Sequence, residues 1–360
     1  MRNAKWEHES LKEWLEKSIY HELEDSESRW DIDDTSFLKQ GKNSVGVQRQ
    51  YCGCVGKTAN CQVAVCLAFS SFKGYSIVDF RLYLPKSWLN DSERCKQAGV
   101  PEETAFHTKP QLAIKMLSQA LKNGYRASCV TADVDYGKSV ELRDFLQTQS
   151  IAFGMGLKKD MLVCSGVNEQ PQTVESIEKQ TKDTDWMSIP LPGSQGQSCY
   201  SWHFSGVWLK GKKHGLLIRK HGADTRYFLT WSPRRRDMMY WVRQIAGRWD
   251  IERCFQEAKQ ELGLNEYQVR KWVPWHRHMT LVWVALWFLN RFKLSYSSEK
   301  WTLPQLRQLM RIPWLASEQV LEHLLHWLYW RREHNRKASF SRRKRGSFWF
   351  TESEGAYVTL

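Results

Sequence analysis

The chain contains no Cys-x-x-Cys pair, and its nine cysteines are an odd number. A disulfide framework uses an even set, and zinc ribbons and knuckles use closely paired ligands. Neither pattern is written here. Cys52, Cys54, Cys61 and Cys66 cluster in sequence. Their spacing fits no zinc module, and the apolar run from Cys61 to Cys66 reads as buried, reduced thiols. Such thiols fit a reducing cytoplasm. Long apolar runs are also missing. The longest, Leu281 to Leu289, falls well short of the roughly 20 residues that a membrane-spanning helix needs, and reads as a buried helix. The first residues are charged and hold no signal-peptide core. There is no internal repeat. Negative charge is in deficit, 39 Asp and Glu against 53 Lys and Arg, which leaves a net charge of +14. These absences exclude a disulfide-stapled scaffold and a membrane-spanning protein. The surplus of cations favours an anionic polymer, most simply nucleic acid, as partner.

What is present is aromatic: 19 Trp, 13 Tyr and 15 Phe, enough to build a core and to stack on bases where rings lie beside cations. A length of 360 residues suits one or two domains. Residues 1–29 carry apolar positions at helical spacing (Trp6, Leu11, Trp14, Leu15, Ile19) and predict one short helix. Residues 30–38, 60–71 and 74–85 read as a three-strand meander. A helix from about Pro110 to Asn123, a strand over 128–133, a helix over 138–149 and a strand over 151–157 follow. The pattern is α/β, a mixed five-stranded sheet flanked by helices, over residues 30–157. Residues 158–198 read as loop-rich, and 199–232 return to strand character. The segment 158–232 is therefore a β-rich insertion between the fifth strand and a long helix over 235–262. Helices over 275–293, 303–311 and 316–332 complete a C-terminal portion, 233–330. The chain ends in a basic tail, 331–360, with Arg331, Arg332, Arg342, Arg343 and Lys344 placed to meet phosphates.

Acidic residues on rigid elements are the candidate chemistry. Asp33 and Asp34 lie in the first strand, Asp133 ends the fourth, and Glu252 lies on the long helix. If the first and fourth strands are neighbours, their carboxylates meet at the strand ends where α/β sheets bind ligands. On the helix, Arg248, Glu252, Gln256 and Lys259 recur at spacings that share a face. Shared carboxylates can hold two divalent metals, and hard oxygen ligands select magnesium, with manganese able to substitute. Lys39, Lys42, Arg49 and Lys57 follow the first aspartates and read equally well as DNA-backbone contacts or as a solvated loop. His276 and His278 sit among apolar residues at a helix start, which argues against zinc.

In combination these stretches resemble the DDE transposases of bacterial insertion sequences, in the branch with a β-strand insertion. The resemblance runs from about Trp30 to Phe292. Arg248, Glu252 and Lys259 match that branch's Tyr-(2)-Arg-(3)-Glu-(6)-Lys signature, and Ile245 stands where the tyrosine is expected. Asp33-Asp34-Thr35 with Lys39 to Lys42, Ser44 to Gly53, Gly56 to Val65, Asp133-x-x-Tyr136-Gly137, and Glu261 through Arg270 to His278 are similar to one subgroup.

The resemblance implies an RNase H-like core. It also implies metal-dependent cleavage at transposon ends and strand transfer into target DNA, with two magnesium ions on Asp33, Asp133 and Glu252. Arg248 and Lys259 would grip phosphates. Asp33 opens the family's Asp-x-Thr pattern and is preferred over Asp34; Asp133 is preferred over Asp135. The implied partners are double-stranded DNA, as terminal inverted repeats and as target, and a second copy on paired ends. The setting is the bacterial nucleoid. A tryptophan of the insertion, among Trp202, Trp208 and Trp231, would hold a flipped base. Similar transposases carry a longer helical segment before the first aspartate. The alternative reading is therefore a shortened, non-catalytic DNA-binding relic or inhibitor of a full-length transposase. A cellular RNase H-like nuclease is a third.

Overall fold

The computed structural model describes residues 6–167, 169–193, 196–295 and 301–311, with isolated positions between 326 and 337. Helix α1 (His8–Leu23) precedes strand β1 (Arg29–Leu38). The strands β2 (Gln48–Cys52), β3 (Lys57–Ser71) and β4 (Gly74–Leu82) follow, then short helices α2 (Lys86–Leu89) and α3 (Ser92–Ala98). Next come α4 (Lys109–Lys122), β5 (Cys129–Ala132), the single turn α5 (Val134–Gly137), α6 (Val140–Thr148) and β6 (Ala152–Leu157). The middle segment holds β7 (Leu162–Val163), β8 (Gln172–Thr173), α7 (Val174–Gln180), β9 (Met187–Gly193), β10 (Gly196–Leu209), β11 (Lys212–His221) and β12 (Asp224–Trp231). Helices α8 (Met238–Gly247), α9 (Trp249–Glu261), α10 (Trp272–Ser295) and α11 (Leu303–Arg311) close the described chain.

One ten-stranded mixed sheet organises these elements, in the order β2-β3-β1-β5-β6-β12-β11-β10-β9, with β4 also paired to β3. β1 lies between β3, antiparallel, and β5, parallel, so the first and fourth strands of the sequence reading are indeed neighbours. The residues of β3 from Cys61 to Ser70 are all buried. A run without polar alternation is what a central strand covered on both faces requires. α4 packs against β3 and α6, while α8 and α9 pack against β5, β6 and β1. α4 begins with a capping box of Thr108 and Gln111 and a proline in its first turn. Six fully buried tryptophans (Trp30, Trp88, Trp202, Trp275, Trp283 and Trp287) fill the core.

Three features differ from the sequence reading. The sheet expected to hold five strands holds ten: β12 pairs antiparallel with β6, so β9 to β12 continue the core sheet. An open β6 edge would expose a row of backbone donors and acceptors, and β12 covers it. Within the stretch expected to be loop, 158–198, the chain forms β7, β8, α7 and β9. β9 carries Pro190 and Pro192, which lower strand propensity, and it lies at the sheet edge, where prolines are tolerated. Finally, the helix expected over 235–262 is interrupted at Arg248. The expected helix over 316–332 and the basic residues Arg331, Arg332, Arg342, Arg343 and Lys344 lie outside the described residues, apart from a few helical positions. Among the described residues no helix is long and apolar enough to cross a membrane.

α1 docks through Leu15, Ile19, Tyr20 and Leu23, all buried, and through an ion pair of Lys12 with Asp79 on β4. Burial opposes the Asp79 charge, yet Lys12 and Arg81 hold its carboxyl below the usual carboxylate range. Glu16, on the same helix, is pushed the other way, up to about 7, by burial and then by the Asp79 charge. The folded chain therefore binds a proton at Glu16 more tightly than the unfolded chain. That contribution to stability is full at acidic pH and is lost as pH rises through about 7. Glu16→Gln should raise the melting temperature above that pH and leave it unchanged in acid. Thermal unfolding across the pH range checks this; a uniform shift at every pH would contradict it.

Candidate active site

The site rests on a charge network buried beneath it. Asp31 of β1 is fully buried and its carboxylate accepts from Arg29 Nε at 3.0 and 3.1 Å, from Ser70 Oγ of β3 at 2.7 Å and from Thr131 Oγ1 of β5 at 2.5 Å. The Arg29 guanidinium also donates to the Gly247 carbonyl and to Asp250. Burial works against the Arg29 charge, but Asp31 and Asp250 outweigh it and raise its pKa.

This contact explains the helix break. In a continuous helix the Gly247 carbonyl would accept from the amide of residue 251. Here Arg29 takes that carbonyl, and the Ile251 amide turns to the Arg248 carbonyl at 3.3 Å. A Cβ at Gly247 would collide with the guanidinium.

The break aims Arg248 at β1. Its Nη1 donates to Asp33 Oδ2 at 2.9 Å, and its Nη2 donates to Glu252. Asp33 and Glu252, far apart in sequence, thus share one guanidinium. Strand alternation sends Asp34 to the opposite face, where Lys109 Nζ donates to it at 2.8 Å and the Tyr136 hydroxyl at 3.4 Å.

Asp133 follows β5 and caps α5, accepting from the amides of Asp135 at 2.9 Å and Tyr136 at 3.2 Å. The Asp133-x-x-Tyr136-Gly137 stretch has a steric reason as well. A Cβ on Gly137 would run into the Gly156 carbonyl of β6, so glycine lets this turn lie against the sheet. Asp135 pairs outward with Lys138 at 2.6 Å.

The electrostatics distinguish these acids. Asp33 is pushed up to about 7 by burial; Arg248 pulls it down, while the charges of Asp133 and Asp34 push it further up. Asp133 is raised as well, chiefly by burial. Lys259, half-buried on α9, has its pKa lowered by burial; the ionisable groups acting on it are Cys54, Cys52 and Cys66, and no carboxylate pairs with it among the described residues. Gln256, expected on the same polar stripe, is exposed.

Several other expectations are settled by burial. Ile245 is buried and packs over Gly154, so the position where the signature has tyrosine is apolar core. Trp202 is fully buried, and Trp231 stacks on Phe153. Lys39 is folded against Tyr267, its ammonium 3.4 Å from the ring centroid and 3.0 Å from the backbone carbonyl. His276 is half-buried against Trp272, Trp275 and His8, and desolvation lowers it to about 3, which leaves it a neutral imidazole.

Sequence reading missed Arg29, Asp31, Asp250 and Lys109. Arg29 and Asp31 carried one available signal: charges alternating on a strand otherwise destined for the core.

A divalent cation fits part of this donor set. Asp33 and Asp133 are hard oxygen donors with raised proton affinity, which is what a site short of positive charge produces. Glu252 is held by Arg248 instead, and among the described residues no group of three or more His, Cys, Asp or Glu side chains is closed up around a common point.

A mixed α/β sheet whose adjacent strands β1 and β5 carry or lead into Asp33 and Asp133, with Arg248 bonded to Asp33 and Glu252, is the arrangement from which the class is read. Comparison places the chain within it: a family model described as DDE superfamily endonuclease matches residues 1–184, half of the 360-residue sequence. The chain belongs to the DDE superfamily of endonucleases, whose members generally use divalent metal ions. It is also similar to a probable transposase for insertion sequence element IS701 from Microchaete diplosiphon, 34% identical over 109 residues. That match covers 30% of this chain and 26% of the relative, so it spans about a quarter of the relative's length.

Removing the Arg29 cation leaves Asp31 and Asp250 facing each other without a counter-charge. Arg29→Met should cost about 3–5 kcal/mol, the usual effect of breaking a buried pair, read from the urea midpoint. A cost within the range of an ordinary surface substitution would show that the network does not hold the helix break.

Proposed function

We propose that the chain is a DNA transposase of an insertion sequence, cutting at the element's terminal inverted repeats and joining the freed ends to target DNA. The observation that carries this reading is the convergence on Arg248 of Asp33 from β1 and Glu252 from α9, with Asp133 beside them after β5. The strand order β4-β3-β1-β5-β6 is compatible with an RNase H-like core, and we read β9 to β12, which lie between β6 and α8 in the chain, as the family's β insertion. Asp33, Asp133 and Glu252 are the acids assigned to catalysis and to cation binding. Asp33 is preferred to Asp34 because Arg248 bonds it together with Glu252, while Asp34 is engaged by Lys109 on the other face of β1.

Divalent magnesium, or manganese in its place, would activate the attacking oxygen and neutralise charge developing on the phosphate and on the leaving oxygen. Asp33 and Asp133 would hold it, with Glu252 joining when Arg248 turns to a phosphate. The chain's own residues do the rest. The amides of Asp135 and Tyr136 orient Asp133. Lys109 keeps Asp34 away from the cleft. Arg248, at the break before α9, and Lys259, on α9, grip the backbone on either side of the scissile phosphate. In the first step water attacks phosphorus, the bond to the 3′ oxygen breaks, and a 3′ hydroxyl is released. In the second step that hydroxyl attacks a target phosphate, forming a new phosphodiester bond as the target strand's own 3′ oxygen leaves and is protonated to a 3′ hydroxyl. Two ends must be held together for coordinated joining, which calls for a homodimer on paired repeats.

A plasmid carrying the repeats that flank the gene tests this. Asp33→Ala, Asp133→Ala and Glu252→Ala should each abolish magnesium-dependent cleavage while DNA binding persists, and Asp34→Ala should still cut. If Asp34→Ala is dead and Asp33→Ala active, the role moves to Asp34. A wild-type chain that binds the repeats but never cuts them is a non-catalytic DNA binder.

Lys259→Ala should slow cleavage and lower the slope of log binding constant against log salt by about 1, as expected when one phosphate is no longer neutralised. Unchanged rate and slope would make Lys259 an ordinary surface residue.

A further inference from the structure

The hairpin of β2 and β3 carries a surface that the catalytic cleft does not use. No Asp or Glu occurs between Asp34 and Asp79, whereas Lys39, Lys42, Arg49, Lys57 and Lys73 all fall there. The structure separates these cations. Lys39 is folded onto Tyr267, and Lys73 donates to the Glu24 carbonyl at 2.7 Å. Lys42, Arg49 and Lys57 are exposed, and among the described residues none of them pairs with a carboxylate. Exposed and without a carboxylate partner among the described residues, these cations are free to meet negative charge from outside the chain.

They lie along one edge of the sheet: Lys42 in the loop before β2, Arg49 on β2, and Lys57 at the hairpin tip, paired with Cys52 and so on the face opposite Arg49. β2 is the edge strand of the sheet, and its burial alternates, with Arg49 and Tyr51 both facing out. Tyr51 is 65% exposed. Opposite them on β3 stand Asn60 and Thr58, polar and uncharged. The hairpin tip folds back over β1: the Gly53 amide donates to Ser36 Oγ at 3.2 Å, two residues beyond Asp34. The tip also lies within electrostatic reach of Lys259 through Cys52 and Cys54, whose sulfurs are 3.2 Å apart. At the base, the β1–β2 loop is tied to the segment after α9 by the Val45 amide, which donates to the Arg270 carbonyl at 2.9 Å. Arg270 and Lys271 are exposed there, again with no carboxylate partner among the described residues. Cations thus continue outward from Lys259, over the hairpin, to Arg270 and Lys271.

We infer that the exposed edge and tip of the β2–β3 hairpin, with the loop before it, form a second DNA-backbone surface next to Lys259, which holds the duplex beyond the scissile phosphate. The inference rests on the transposase reading for the identity of the polymer. Its site is separate: the hairpin holds the duplex and takes no part in the chemistry.

The test is equilibrium binding of the full chain to a short duplex of arbitrary sequence, in EDTA so that nothing is cut, over a range of salt. Every cation that stops neutralising a phosphate lowers the salt slope by about 0.9. Lys42→Ala/Arg49→Ala/Lys57→Ala should therefore reduce the slope by about 2 to 3, weakening binding most at low salt. The three side chains are exposed, so the far-ultraviolet spectrum and melting temperature should not move. Lys42→Arg/Lys57→Arg, which keeps the charge, should retain the wild-type slope. Lys159→Ala/Lys179→Ala, which removes two lysines paired to Glu175 at 3.6 and 3.7 Å, should leave it intact as well. A wild-type slope in the triple variant overturns the inference while the transposase reading stands. A wild-type chain that shows no salt-dependent duplex binding overturns both.

Discussion

Everything at the cleft hangs from one buried cation. Arg29 sits under the sheet face that carries Asp33, and it joins two otherwise separate parts of the molecule. Through Asp31, Ser70 and Thr131 it belongs to three adjacent strands; through Gly247 and Asp250 it belongs to the helical layer. Ionised groups buried this deeply are stable only when every lone pair and donor is matched. The match here requires a break between α8 and α9. Once the Gly247 carbonyl is committed to Arg29, the chain must restart its helix one residue later, and that restart points Arg248 at Asp33 and sets Glu252 one turn further on.

The cleft above is the converse case. Asp33 and Asp133 stand half-buried beside each other with Arg248 as the principal nearby counter-charge, and both hold protons more tightly than an ordinary carboxylate. Acids left in this state weaken the fold locally, and such perturbation is a mark of functional sites. Asp31 and Asp33, two residues apart on the same strand face, show the distinction well. The first is saturated with donors and structural; the second accepts from Arg248 and from the Asp34 amide and is available to chemistry. Asp34, on the opposite face, is tied to Lys109.

The sheet performs two tasks along its length. Its centre, β3-β1-β5-β6, brings the acids together, and its two ends extend the reach of the molecule. At one end β12 caps the β6 edge and carries β11, β10 and β9 outward; at the other, β2 leaves an edge on which Arg49 is exposed, with no carboxylate partner among the described residues. Gly137 and Gly156 let the turn after β5 lie against β6, so Asp133 is held at a fixed height above the sheet.

Much was legible in the residues themselves. Apolar runs and alternation located the central strands and α4, α6 and α10. The acids Asp33, Asp133 and Glu252 were legible as chemistry because each sits on or beside a rigid element, and the Arg-Glu-Lys spacing carried the family resemblance. What the residues could not convey is long-range pairing. Nothing near Gly247 in sequence announces that its carbonyl is taken by a side chain from β1, so one unbroken helix was the natural reading. Pro190 and Pro192 argue against a strand unless the strand is known to lie at an edge, which is a property of the whole sheet. Alternation separates the faces of Asp33 and Asp34, but only the tertiary structure shows that one meets Arg248 and the other Lys109. Local composition determines what an element is; the partners that neutralise its charges and take up its backbone groups are decided in three dimensions, because those partners lie far away along the chain.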